Sequence, residues 1–522
     1  LSADSTVVSK LTRGTPVGGM AEGYYQIKYA ADWRHAAYRS NYYNNYEIID
    51  DISFEGEYFF PISTYRLYGN GHTLSDINLD WSHEDNVGLV RFESTSTYSL
   101  GMQCNISDLT LNKVTFKGNN YVGAFGGKNI SLTNCSVIGA SAIIGQGDYV
   151  GGIVGANSFD GLMNEVRVGQ ECTISGVNYV GGLVGRYMST DRYSTSLNLY
   201  SSKTLLESCK SEAEVTATGD YVGGIFGKIG GNYMYNNTSV SNDYNSDVKY
   251  TFSLIKCINE GDVTGKNYVG GIGGDFALNS YDNTVEDKVV LKESYSQGDV
   301  TGVQKVAGIV GASQASINTC YSIGEISASE SEVGGIVGRI EGDGMMGNAR
   351  IANSYSLATL TVGNNGHIGG IVGNAGGGLY GGSTIINCYY AADPDTYEFG
   401  GIVGNSDGYC SVTNCVTTLA SLGLNLGDHQ INTDFNNDGW PDGDYNGDNS
   451  WDAYDLWINA ADIVCKKSEA NVTSIKSKFE VINADQKYST NVWSGYLWEC
   501  VKFASFEVDT DSDDFENETV TP

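Results

Sequence analysis

From about residue 86 to residue 404 the chain alternates apolar and small residues with Asn, Ser, Asp and Gly in short runs. The period is near two, that of half-buried strands. One phrase punctuates the alternation: NYVGAFG at 120–126, DYVGGIVG at 148–155, NYVGGLVG at 178–185, DYVGGIFG at 220–227 and NYVGGIGG at 267–274. It continues as KVAGIVG at 305–311, EVGGIVG at 332–338, HIGGIVG at 367–373 and EFGGIVG at 398–404, after a degenerate first copy, NVGLV, at 86–90. Copies start about 27 to 47 residues apart, a solenoid spacing. A second phrase lies between them, as TNCSVIG (133–139), IKCINEGDVTG (255–265), KESYSQGDVTG (292–302), NTCYSIGEISA (318–328) and INCYYA (387–392). Each repeat is therefore predicted to hold two or three short strands, with Gly at the corners supplying positive φ and close backbone approach.

No such repeat buries its apolar face alone, whereas stacked coils do. The fold predicted is all-β: a parallel β-solenoid, right-handed by the rule for parallel crossovers. Length variation falls at one corner, after the VG end, in the Tyr-, Asn-, Ser- and Gly-rich stretches 186–206, 229–254 and 275–292. Insertions at one corner project from one side. The nine YVGGxVG-type copies and the intervening NCYSxGxV-type strands resemble the GLUG-repeat family of secreted and surface proteins of bacteria and archaea. The resemblance covers about residues 66–420, and Ala307 departs from it where a Gly is usual. EIIDDISF (47–54) and YRLYGNGHTLSDINL (65–79) look like the opening coil of such a β-helix.

Five regions are expected: a cap and first strands at 1–65, the solenoid at 66–420, an acidic calcium loop and helix at 421–466, closing strands at 467–506 and an acidic tail at 507–522. Open solenoid ends need covering, because an unpaired strand edge templates aggregation. YAADWRHAAYRS (29–40) places Tyr29, Trp33 and Ala36/Ala37 on one helical face and is read as that cap.

The chain has 30 Lys+Arg and 62 Asp+Glu, a net charge of −32. That charge excludes phosphate-backbone binding as the main task, so nucleic acid is not a partner. It equally disfavours an anionic membrane surface, and no apolar run is long enough to insert in a bilayer. A chain beginning at Leu1 is read as a processed, secreted product exposed at the cell surface. The 36 Tyr and 7 Trp make it rich in amphipathic aromatics.

The strongest ligand signal is calcium. Asp444, Asn446, Asp448, Asp452 and Asp455 fall at positions 1, 3, 5, 9 and 12 of DYNGDNSWDAYDL, offsets at which hard oxygen ligands wrap Ca²⁺. A helix, DLWINAADIV at 455–464, is expected to follow, so the segment looks like a dockerin-type loop. Upstream, Asp434, Asn436, Asp438 and Asp442 resemble the DxNxDGxPD calcium repeats of surface proteins. Because only one loop–helix is visible, no cohesin partner is inferred.

Of 11 Cys, seven (135, 172, 209, 257, 320, 388 and 415) read as one repeat position, with Ser294 and Ser354 replacing two members. They read mainly as buried small residues. Cys104, Cys410, Cys465 and Cys500 lie off that ladder and are the disulfide candidates, suited to reinforcing an assembly between chains. Among the sequons, Asn236, Asn237 and Asn471 are the glycosylation candidates, whereas Asn134, beside a ladder Cys, is expected to be shielded. GNSDG (404–408) and GDGMMG (342–347) match catalytic expressions but lack the strand–turn–helix context those need. His72 reads as structural.

Three functions compete. The first is a non-enzymatic structural protein whose copies polymerise laterally or end to end into a sheath, layer or filament. The second is an adhesin that binds surface glycans through its insertions. The third is a polysaccharide lyase or hydrolase, for which no facing acidic pair is visible.

Overall fold

The structure is a computed structural model. It describes residues 12–14, 24–38, 43–91, 103–188, 202–230, 251–277, 289–341, 349–363, 366–376, 383–386, 388–390, 399–406, 410–413 and 415–417, and the short strands 425–426, 429–430, 432–433, 457–458 and 463–465. Two compact units are present, 1–197 with 205–242, and 198–204 with 243–522. Each is a parallel β-solenoid.

In the first unit, Tyr24–Ile27 pairs antiparallel with Thr12–Gly14 and parallel with Asn45–Ile48. Asn45–Ile48 pairs with Arg66–Tyr68, and that strand with Cys104–Asn112. Parallel stacking thus runs on both sides of residue 65, where the cap was expected to end. A complete coil has three faces: Ile130–Ile138, then Ala142–Gly145 with Val150–Gly151, then Val154–Ser158. The next coil repeats them in register, with Leu132 opposite Met163, Ile143 opposite Ile174, Val150 opposite Val180 and Val154 opposite Val184. The second unit follows the same path, Val289–Ser296, Val300–Ala307 and Val310–Ser313 lying under Ser316–Ser322, Glu325–Gly334 and Val337–Glu341.

Columns of identical positions make the core. Val122, Val150, Val180 and Val222 are fully buried, as are Phe125, Ile153, Leu183 and Ile225. Each such side chain contributes about 1.5–3 kcal/mol by leaving water.

Two bends per coil turn the chain through positive φ. One falls on Tyr121, Tyr149, Tyr179 and Tyr221 (φ 57, 65, 57 and 65°). The other falls one residue before the ladder position, on Asp108, Asn134, Glu165 and Ser208 in the first unit and Lys256, Glu293, Thr319 and Asn353 in the second. The glycines after each tyrosine make the first bend possible. A Cβ on Gly182 would lie 1.9 Å from the Gly224 carbonyl oxygen of the next coil, and one on Gly181 2.1 Å from the Val184 oxygen of its own coil. Ala124 occupies the Gly182 position in an earlier coil, and its N–H reaches the Gly152 carbonyl at 3.4 Å, against 3.2 and 3.1 Å for Gly152 and Gly182 at the next rungs. Ala307 is buried and stays in register between Gly270 and Gly334.

The insertions leave at one corner, as expected. In the second unit, for example, 278–288 joins Gly273–Phe276 to Val289–Ser296, and 342–348 joins Val337–Glu341 to Ala349–Ala352.

The N-terminal cap is the helix Ala30–Tyr38. Asp32 Oδ2 accepts the N–H groups of Lys28 and Tyr29 at 3.1 Å each, satisfying donors at the helix start. Trp33 and Ala36 are fully buried; Trp33 stacks on Phe59, meets Phe54 edge-on and donates its Nε1 hydrogen to the Phe60 carbonyl at 2.9 Å. Tyr29 does not share that face. It precedes the helix and is 52% exposed, with Lys28 Nζ over its ring.

The helix expected at 455–464 is also corrected. Trp457–Ile458 and Ile463–Cys465 are strands, parallel to Cys410–Thr413 and Cys415–Thr417. The open edge of the preceding coil offers both segments a ready hydrogen-bonding partner, which outweighs a short helical periodicity.

Gly182→Ala is expected to cost about 2 kcal/mol, because the Gly224 backbone of the next coil and the Ser211 hydroxyl occupy the space it would fill. Urea unfolding followed by circular dichroism measures this. An unchanged midpoint would contradict the close-approach account.

Candidate functional site

The best-built feature on the surface of the first unit is the tyrosine bend. In its left-handed conformation each Tyr ring lies over the equivalent ring of the next coil. Tyr121, Tyr149, Tyr179 and Tyr221 stack with centroids 4.6, 5.0 and 4.9 Å apart and planes within 8°. The rings are half-buried. Seven residues on, at the third face, stand cations: Lys128 Nζ is 3.4 Å from the Tyr121 centroid, Arg186 is 4.8 Å from that of Tyr179, and Lys228 Nζ is 4.4 Å from that of Tyr221. Such pairs contribute about 0.5–2 kcal/mol, more where desolvated. Partial burial pushes the Lys128 ammonium below its usual range, with Asp85 opposing, and pushes the Tyr121 phenol up.

Just before each tyrosine runs a second column, Asp85, Asn120, Asp148, Asn178 and Asp220. Asp85 Oδ1 accepts the N–H and Nδ2 of Asn120 at 3.0 and 3.1 Å. Asn120 Oδ1 accepts the Asp148 N–H at 2.8 Å, and Asp148 Oδ1 the N–H and Nδ2 of Asn178 at 3.2 and 2.9 Å. Asn178 Oδ1 accepts the Asp220 N–H at 2.8 Å. Alternation adds a side-chain to side-chain bond to the backbone contact. An amide both donates and accepts, whereas a carboxylate only accepts, and adjacent carboxylates would repel.

The second unit replaces these partners in kind. Lys305 Nζ lies 4.2 Å from the Tyr268 centroid and donates to its hydroxyl at 2.9 Å. At the next rung Glu332 takes the bend and pairs with Arg339, seven residues on, at 2.6 Å; Asn374 Nδ2 also donates to Glu332 at 2.9 Å. Inside, Tyr295, Tyr321 and Tyr355 form a buried stack at 4.7 and 5.1 Å.

The seven-cysteine ladder needs one correction. Cys172 precedes Thr173, which lies opposite Ala142 on the second face, so Cys172 aligns with Ser141 rather than with Cys135. Cys135 instead stands between Leu109 and Val166. The ladder thiols Cys135, Cys209 and Cys320 are buried beneath carbonyl oxygens, and Cys104 and Cys410 are buried as well. Desolvation pushes Cys135, Cys209, Cys320 and Cys410 up to about 12. Such thiols are not thiolates at neutral pH and are poor nucleophiles. A disulfide through Cys104 or Cys410 would therefore have to form before these coils close. Cys465 ends the strand Ile463–Cys465.

Asn134 is corrected too. It is exposed, because the bend before Cys135 (φ 51°) points its amide outward, where Nδ2 donates to Asp108 at 2.8 Å. His72 is within 3.2 Å of Asp51, at a turn. Cys500, Asn236, Asn237, Asn471 and the calcium ligands Asp434, Asn436, Asp438, Asp442, Asp444, Asn446, Asp448, Asp452 and Asp455 lie outside the described residues.

Comparison with known proteins gives one sequence relative and one structural neighbour. The chain is similar to Halomucin of Haloquadratum walsbyi, 29% identical over 153 residues, a match spanning 24% of this chain and 2% of Halomucin. A solved structure from Bacteroides ovatus, provisionally described as an immunoglobulin A1 protease, aligns over 90% of this chain and 91% of its own at 15% identity and a TM-score of 0.25. No family's sequence profile matches.

Two outcomes follow. Asn178→Asp places three carboxylates on successive rungs and is expected to cost about 1–2 kcal/mol at low salt, with most of the loss recovered in about 1 M salt. Unfolding midpoints at both salts check this; a loss indifferent to salt would contradict the charge argument. The folded thiol values are raised, so the stability they contribute is complete below about 9 and is lost as pH climbs towards about 12. Cys320→Ser, the residue already at 294 and 354, is expected to flatten that alkaline decline; an unaltered slope would contradict it.

Proposed function

We propose that this chain is a non-enzymatic structural protein of the cell exterior, a GLUG-type β-solenoid whose copies assemble with one another into a surface sheath, layer or filament. The carrying observation is how the side chains of the described faces are spent. Tyrosine faces are taken by neighbouring rings and cations, aspartates by asparagine amides, and thiols by carbonyl oxygens. These are ladder-building contacts, repeated from coil to coil, and they support a structural role. The similarity to Halomucin, by its name a mucin, supports a place outside the cell.

Calcium bridging by the Asp434–Asp455 ligands would offset repulsion between copies that each carry a charge of −32. A dockerin-like loop there would serve as cross-link rather than as cohesin ligand. The insertions favour a second reading. Segments such as 231–250 and 278–288, rich in Tyr, Asn and Ser, leave the coil at a common corner, a geometry that suits an adhesin binding surface glycans.

Negative-stain electron microscopy of the purified chain, with calcium, with a chelator and with a reductant, separates the two. Assembly predicts sheets, hoops or filaments that fall apart in chelator or reductant. Isolated particles under every condition, together with retention on a glycan array, would overturn it in favour of adhesion.

A further inference from the structure

Within each unit, the ladder position after the first-face bend carries a thiol on alternate coils among the described residues, except at one rung of the second unit. In the first unit the column reads Leu109, Cys135, Val166, Cys209: Cys135 is opposite both Leu109 and Val166, and the pairs flanking residue 209 align it with Val166. In the second unit it begins Cys257, Ser294, Cys320, Ser354, Cys388. The serines bridge the rungs, Ser294 and Ser354 each accepting the N–H of the cysteine below, at 3.0 and 3.2 Å. Thiols separated by a serine are two strands apart, about 9.5 Å, beyond the reach of a disulfide.

The alternation fails at the next coil. Ser383 pairs with Cys410, Ile386 with Thr413, Tyr389 with Val416 and Tyr390 with Thr417, one unbroken offset that places Cys388 opposite Cys415. Adjacent parallel strands are about 4.8 Å apart, inside the Cα–Cα range that a disulfide spans. A covalent tie between adjacent coils stabilises their stacking chiefly by restricting the unfolded chain.

We propose that Cys388 and Cys415 form an intrachain disulfide that clasps these two coils together. It forms by exchange with an external disulfide: two S–H bonds are lost, one S–S bond is made, and the donor takes up two electrons and two protons and is released as two thiols. Cys388 is fully buried, so the exchange precedes closure of the coil. The clasp stands whether or not copies of the chain assemble, and it uses neither Cys465 nor Cys500.

The test uses the full chain folded in oxidised glutathione, then unfolded without reduction, alkylated and cut at acidic residues. Asp393, Asp395, Glu398 and Asp407 separate the two cysteines, and Cys410→Ser removes the other thiol from the Cys415 fragment. Mass spectrometry should find Cys388 and Cys415 joined, lighter by two hydrogens, with Cys320 alkylated. Reduction should lower the thermal midpoint by several degrees. Cys388→Ser, carrying the side chain native at 354, should fold and abolish both the linked peptide and the reductant shift. Alkylated Cys388 and Cys415 in the oxidised chain, or Cys388 joined to another cysteine, would overturn the proposal.

Discussion

The close approach of one coil to the next at the glycine corner is the constraint on which everything else here depends. After each left-handed tyrosine and the valine that follows it the backbone turns tightly: a Cβ on Gly181 or Gly182 would lie 2.1 or 1.9 Å from a carbonyl oxygen. The absence of a Cβ at most of these corners lets them repeat at the rise of a parallel strand pair. A methyl is accommodated at Ala124 and Ala307, with the inter-coil hydrogen bond at Ala124 lengthened to 3.4 Å.

That short, fixed rise brings each position face to face with its own copy, so the sequence must choose residues that tolerate their own likeness. Aliphatic residues and tyrosine rings do, and they run unbroken through columns such as Val150–Val180–Val222 and Tyr149–Tyr179–Tyr221. Before the tyrosines, carboxylates alternate with Asn, and within each unit most ladder thiols alternate with Ser, Val or Leu; where Asp262, Asp299 and Glu325 succeed one another, Asp262 and Asp299 each accept an N–H of the next coil instead. Where the bend residue changes, the cation seven residues on keeps a partner: Arg186 faces the Tyr179 ring, and Arg339 pairs with the Glu332 carboxylate. A solenoid built this way pairs many of its described polar groups from coil to coil.

Much of this was legible in the sequence. The repeat phrases mark strands, corners and the insertion corner because small and apolar residues recur at fixed offsets. The ring stack was not legible, because tyrosine rarely takes positive φ and only coil geometry imposes it. Cys172 was misplaced because its coil carries Val166 at the ladder position, and spacing in the sequence cannot reveal a shift to the next face. Asn134 was misjudged for a related reason: a left-handed bend turns outward a residue whose neighbour points in. Trp457–Ile458 and Ile463–Cys465 show a helical period, yet the open edge beneath them makes strands.

Native-state hydrogen exchange tests the central claim most directly. The amides of Gly152, Gly182, Val150 and Val180 each donate to the carbonyl of the following coil, at 3.0–3.2 Å. If the corner holds the stack together, they should exchange only on opening of the whole unit, with protection equal to that of buried Ile143 and Ile174. Corner amides that exchange orders of magnitude faster than those strands would show that the glycine turns merely connect the faces, and would contradict the account.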